Sequence, residues 1–260
     1  MSDNQLKDFY MQVVSFTRQD IVKQKMLLPP ETIAALCENH HRTPRLLAES
    51  VKKRTGNALP VVVAGIQKIF PGAGTMLDDF KPLEMAQSFE SARAGALAVV
   101  TEKHFYGGEP KHLTGITHLV KLPVIRWDFI VESYQILQSR LWGADAVRII
   151  VKLLDQSELL DICRACEAHS LEIVAEIHDS ADLERLRDFP VKITAVTVDT
   201  GSSDINEAAD LLKLIPDEYL KWVVADHLKD SELRDLPCDA VCFFEKIASS
   251  PALIREFATA

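Results

Sequence analysis

The 260-residue sequence predicts a closed (β/α)8 barrel, the TIM-barrel form of the α/β class, with a helical extension at its N-terminus. Three observations carry this. From residue 60 onward, short β-branched runs alternate with amphipathic helical patterns, as repeated βα units around a parallel sheet require. Eight such runs can be counted, and an open sheet of eight units would leave exposed edges that closure removes. No low-complexity linker divides the chain, so residues 1–59 read as the extension and residues 60–260 as the barrel of one domain.

The extension carries three helical patterns, "DNQLKDFYMQVVSFTRQDIVKQKML", "PPETIAALCENH" and "TPRLLAESVKKR". The strands follow in order as "PVVVAGI" (60–66), "ALAVVT" (96–101), "LPVIRW" (122–127), "DAVRIIV" (145–151), "LEIVAEI" (171–177), "KITAVTV" (192–198), "KWVVAD" (221–226) and "DAVCFF" (239–244). Between them lie "KPLEMAQSFESARAG", "ESYQILQSRLWG", "SELLDICRACEAH", "SADLERLRDF" and "INEAADLLKLIP", each with apolar residues at helical spacing.

Composition narrows the function. With 47% hydrophobic and 26% charged residues, 10 Gly and 12 Pro, the chain reads as an ordinary globular protein rather than a disordered or fibrous one. The net charge is −9 and the basic residues are scattered, which leaves no electrostatic footprint for nucleic acid or an anionic membrane. Five cysteines, an odd number, with no signal-peptide pattern and no long apolar run, point to a reducing cytoplasm. Cys163 and Cys166 fall on one helix face, where packing is expected rather than a metal or redox role.

Barrels of this class gather their chemistry at the C-terminal ends of the strands. The stretch "PVIRWDFI" (123–130) places an indole, Trp127, and a carboxylate, Asp128, at such an end. Alternation along a strand means that Ile125 points inward if Trp127 does. Arg148 falls mid-strand in "AVRIIV", and an inward guanidinium there calls for Glu176 or an aspartate as its partner.

The runs "FPGAGTMLDDFKPLEMAQSFESARAGALAVVTEKHFYGGEPKHL", "LPVIRWDFIVESYQILQSRLWGADAVRIIVKLL" and "LEIVAEIHDSADLERL" resemble indole-3-glycerol phosphate synthase, the barrel lyase of tryptophan biosynthesis. The resemblance extends over nearly the whole chain, including the helical extension. It implies the barrel fold and a decarboxylating, dehydrating ring closure that uses a general-acid lysine at the end of the third strand. Trp127 stands at that position, and an indole has no acidic proton near neutral pH. The Glu-Ile-Lys that ends the family's first strand corresponds to Gly65, Ile66 and Gln67. Lys68 is adjacent but alternates to the other face.

The resemblance places the family's fifth-strand glutamate at Glu176. Its sixth-strand Asn-Asn-Arg-Asp corresponds to Thr197, Val198, Asp199 and Thr200, and its seventh-strand Glu-Ser-Gly to Asp226, His227 and Leu228. The small eighth-strand pair whose amides hold the substrate phosphate corresponds to Phe244 and Glu245. First-loop serines correspond to Phe70 and Gly72. An approachable amide cradle is what a phosphate needs, and a phenyl ring beside a carboxylate opposes one.

The expectation is therefore a divergent barrel that does not catalyse the standard reaction. Its mouth is read as repurposed for a non-phosphorylated aromatic or cationic ligand. Trp127, Phe70, Phe244 and Tyr106 would form walls, Gln67, Arg148, Thr197, Asp199 and Glu245 polar contacts, and Glu176, Asp226 and His227 catalytic groups. Two alternatives stay open, a non-catalytic scaffold or regulatory partner and a low-activity synthase. No cofactor is expected. Although Glu176, His178, Asp199, Asp226 and His227 lie at neighbouring strand ends, the sequence has no metal-ligand spacing such as H-x-H or H-E-x-x-H.

Overall fold

The computed structural model describes residues 3–39, 42–52, 59–198, 205–226, 228, 232–233, 236–248 and 250–259. Eight parallel strands close into a barrel in chain order, each inside a predicted run or within a residue of it. They are β1 (Val61–Ile66), β2 (Ala96–Val100), β3 (Val124–Trp127), β4 (Ala146–Ile150), β5 (Glu172–Ile177), β6 (Ile193–Thr197), β7 (Leu220–Val224) and β8 (Ala240–Phe243), with β8 returning beside β1. The fold class is thus the (β/α)8 barrel read from the sequence. In addition, Ile69–Phe70 and Thr75–Met76 form a small antiparallel ribbon after β1.

The barrel interior is filled by size complementarity. Trp222 is fully buried, and its register partners on the two neighbouring strands are Ala195 and Ala240. Small side chains on either side leave room for one indole, so the interior packs without a pore. Ile125 and Trp127 belong to this same inner cluster, as alternation required.

The extension runs from one end of the barrel to the other. Leu6, Phe9 and Tyr10 of helix α1 (Asp3–Leu27) reach the mouth, while Val13, Val14 and Ile21 pack on the outer core. Helix α2 (Pro30–Glu38) follows, and helix α3 (Leu47–Lys52) sets Leu47, Ala48 and Val51 against the inner cluster, closing the base. The first turn of α3 donates its Leu47 and Ala48 amides to Glu172, a carboxylate placed where free N–H groups collect.

Beside it, Asp145 is completely buried and collects the guanidinium groups of Arg42 at 2.7 Å and Arg45 at 3.1 Å. It also accepts the amides of Arg45 at 2.7 Å and Val124 at 2.8 Å. One carboxylate thereby joins the extension to the third and fourth strands.

The five helical patterns between the strands contain Pro82–Ser91, Tyr134–Leu141, Gln156–Ala168, Ser180–Arg185 and Ile205–Leu214. Gln156–Ala168 opens with a reciprocal capping box between Asp155 and Glu158. A further helix, Pro110–Leu119, lies between β2 and β3, as one helix per βα unit requires. Cys163 and Cys166 are buried in the outer core, and burial pushes the Cys163 thiol up to about 11 and raises that of Cys166 well above the ordinary thiol range. Among the described residues no helix is long and apolar enough to cross a membrane.

Candidate active site at the barrel mouth

Glu176 ends β5 facing inward and is fully buried. Arg148 Nε donates to its Oε2 at 2.6 Å, and His178 Nε2 lies 3.1 Å from its Oε1. Of the partners open to Arg148 from sequence, Glu176 or an aspartate, the structure therefore selects Glu176. Burial alone would raise the Glu176 pKa, but the Arg148 charge and the His178 and Arg148 hydrogen bonds outweigh it and hold the carboxyl well below the ordinary glutamate range. Burial likewise opposes the charge on Arg148, and the facing carboxylate more than offsets it. A carboxylate so stabilised is a weak proton acceptor.

The Arg148 guanidinium also lies 5.0 Å from the Trp127 ring centroid and 5.5 Å from that of Phe129. Trp127 thus has an internal cation over its ring. Its other close aromatic neighbour is Phe244, at 5.4 Å between centroids with a 55° tilt.

Phe244 follows β8, and its ring lies where a side chain on Gly65 would stand. A Cβ on Gly65 would come within 2.1 Å of Phe244 Cδ1, 2.4 Å of Cγ and 2.6 Å of Cε1. Neighbouring strands have exchanged bulk, glycine on β1 making room for phenylalanine after β8. The backbone there is also occupied. Asp226 Oδ1 accepts the amide of Phe244 at 2.6 Å and that of Lys246 at 3.3 Å. An internal carboxylate meets the N–H groups that an external anion would otherwise approach.

The remaining predicted residues that the structure describes line the same space. Gln67 turns its amide nitrogen to the Ile69 carbonyl at 2.8 Å, and Phe70 packs in one cluster with Trp127 and Phe244. Tyr106 sits 6.2 Å from Phe9 and 6.0 Å from Phe129, centroid to centroid. Glu245 accepts from the Thr75 hydroxyl at 2.7 Å. The Thr197 hydroxyl is buried and has no partner among the described residues. Asp199 and His227 lie outside the described residues. Lys68 is absent from the lining and stands near Glu109 and His112 outside the barrel, as alternation required.

Together these groups enclose a cavity of about 160 Å³. Several of its walls escaped the sequence reading. Leu6, Phe9 and Tyr10 come from α1, and nothing in a helical pattern tells which face meets a distant strand end. Phe129 could have been found by extending the alternation from Trp127. Glu102 organises the second loop by accepting the amides of His104 at 2.8 Å, Phe105 at 2.7 Å and Tyr106 at 3.0 Å. The sharp "FYGG" turn, with Gly107 at φ 66°, was its sequence signal.

Asp128 faces away from this cavity. It pairs with fully buried Arg126 at 2.9 Å and accepts the Thr101 hydroxyl and the Phe129 amide. Arg126 in turn lies 4.5 Å from the Trp142 ring centroid. The strand exit therefore splits its two conspicuous residues, Trp127 to the mouth and Asp128 to the outer layer.

Fold and site together define a (β/α)8 barrel whose buried charged pair sits among aromatic walls at the C-terminal end of the strands. The family profile of indole-3-glycerol phosphate synthase matches residues 11–226, and the chain belongs to that family. The indole-3-glycerol phosphate synthase of Neisseria gonorrhoeae (strain NCCP11945) is 32% identical over 191 residues, spanning 74% of this chain and 73% of the relative. That of Aliarcobacter butzleri (strain RM4018) is 28% identical over 253 residues, 94% of this chain and 95% of the relative. Among solved structures, N-(5'-phosphoribosyl)anthranilate isomerase from Pyrococcus furiosus shares the fold, with a TM-score of 0.56 at 12% identity over 76% of this chain and 96% of that one.

Proposed function

We propose that this member of the family does not carry out the decarboxylating ring closure and that its mouth instead takes a small, non-phosphorylated aromatic ligand. One observation carries the reading. At the β8 exit, where the family resemblance puts the phosphate-binding amides, the Phe244 ring fills the space over Gly65 and Asp226 accepts the Phe244 and Lys246 amides. A phosphate dianion there would have to displace a ring and a carboxylate and would meet like charge.

The reaction's proton donor is missing as well. Trp127 stands at the general-acid position with its ring against Arg148 and Phe244, and Glu176 is held ionised by Arg148 and His178. Of the ligand classes open from sequence, a cation is the less suited, because the Trp127 ring already carries one. A non-catalytic partner role is supported by the shared packing of Phe70, Trp127 and Phe244, and the cavity that persists beside them favours a ligand.

Calorimetric titration with the phosphorylated anilino-deoxyribulose substrate tests the reading. No saturable binding is expected up to millimolar concentration. Saturable micromolar binding contradicts it.

A further inference from the structure

The Arg148 guanidinium uses only Nε in its bond to Glu176, and its two terminal nitrogens make no hydrogen bond to any described residue. Arg148 lines the cavity with its side chain only 7% exposed. A guanidinium that lines the cavity with its outer nitrogens unengaged by protein leaves donors for a guest, since a guanidinium carries five N–H groups and Glu176 takes one. A second unengaged group lines the same cavity, the buried Thr197 hydroxyl with no partner among the described residues. Arg148 and Thr197 belong to β4 and β6, on either side of the β5 residue Glu176.

We infer that the mouth is a binding site for a small, uncharged, planar molecule bearing a carboxamide-like group, its carbonyl oxygen on the Arg148 terminal nitrogens and its N–H on the Thr197 hydroxyl. This rests on the reading of the mouth as a ligand site and adds the ligand's class. Three arguments select it.

Shape comes first. Tyr106, Trp127, Phe129 and Phe244 give aromatic walls to an open, partly polar cavity of about 160 Å³, room for one small ring, for which roughly 150 Å³ suffices.

Charge comes second. The Arg148 charge is balanced by Glu176, and the other carboxylates lining the cavity are Glu102, Asp226 and Glu245. An anionic ligand would add a further negative charge beside them, whereas a neutral carbonyl uses the same donors without that repulsion. A cationic ligand would face Arg148 itself, which already lies over the Trp127 and Phe129 rings.

Polarity comes third. The two unengaged groups ask for an acceptor at one point and a donor or acceptor at the other. An amide supplies both.

Benzamide, benzoate and benzamidine share one ring and nearly one shape while differing in charge, so titrating all three into the full-length protein tests the assignment. Benzamide is expected to bind about tenfold or more tightly than the other two. Arg148→Lys keeps a cation opposite Glu176 and removes the fork. Thr197→Val removes the hydroxyl at nearly constant shape and keeps the test open if the lysine variant fails to fold. Each is expected to weaken benzamide alone, by about tenfold for Arg148→Lys, since hydrogen bonds to charged groups are worth a decade or more in affinity.

Benzamidine or benzoate binding as tightly as benzamide overturns the assigned class and leaves the wider ligand reading standing. Undiminished benzamide binding to Thr197→Val, or to folded Arg148→Lys, overturns the assigned contacts in the same way. No binding of any probe overturns the inference, and if the phosphorylated substrate then binds, the wider reading falls with it.

Discussion

Gly65 and Phe244 are a packed pair, and a double-mutant cycle reads their dependence directly. In Gly65→Ala the new Cβ would start 2.1 Å from the Phe244 ring, while ordinary contact begins near 3.4 Å, so the ring edge must retreat by about 1.3 Å. Its retreat is hindered on both sides. The Phe244 amide is tied to Asp226 at 2.6 Å, and the Trp127 ring stands 5.4 Å from the Phe244 ring, centroid to centroid. Overpacking of this kind costs roughly 1–3 kcal/mol. Phe244→Ala deletes a nearly buried ring and is expected to cost about 3 kcal/mol. With the ring gone, Gly65→Ala loses its three nearest obstacles, all atoms of that ring, and is expected to gain the backbone advantage of alanine over glycine, roughly 0.5–1 kcal/mol. The cycle, measured by urea unfolding of the four proteins, is therefore expected to give a coupling of about 1–3 kcal/mol, with the second alanine neutral or stabilising once the first is present. Costs that add within about 0.5 kcal/mol would refute the idea that glycine at 65 makes room for the phenyl ring.

Asp145→Ala should destabilise the fold by about 3 kcal/mol or more in thermal unfolding, because it strands two arginines and two amides at the barrel base. A loss below about 1 kcal/mol contradicts that account. Glu176 has a depressed pKa in the folded state, so its stabilisation is complete above the ordinary glutamate value of about 4.3 and is lost as pH falls towards the folded value. Glu176→Gln is accordingly expected to flatten the fall in stability below about pH 4, and an unchanged acid slope speaks against the pairing. Burial raises the Cys163 thiol to about 11, so it should resist a thiol reagent at pH 8 until the chain unfolds. Rapid labelling of Cys163 in the native protein would show the burial to be wrong.

The strands were legible because β-branched runs bounded by helical patterns repeat eight times, and closure followed from the cost of open edges. The helix Pro110–Leu119 follows from the count of βα units rather than from a pattern of its own. Its segment carries Gly115, Thr114 and Thr117, poor helix formers, and owes its form to the burial of Leu113 and Ile116 against the barrel. In the site, alternation and charge balance called for Glu176 or an aspartate opposite Arg148, and the structure selects Glu176. The fit of Phe244 over Gly65 was beyond reach, because residues 179 positions apart meet only when β8 closes on β1 in the observed register. The Asp226 cap on the β8 exit has the same origin. A sequence identifies a carboxylate at a strand end but not the amides it will find there.

The most direct test of the account is turnover. The purified chain is incubated with the phosphorylated anilino-deoxyribulose substrate, and the indole product is followed by its fluorescence against a functional indole-3-glycerol phosphate synthase under the same conditions. With Trp127 where the family resemblance puts the general acid, and Phe244 and Asp226 where it puts the phosphate amides, the account expects indole emission to rise no faster than in the uncatalysed reaction. Turnover at a rate typical of the family would contradict it.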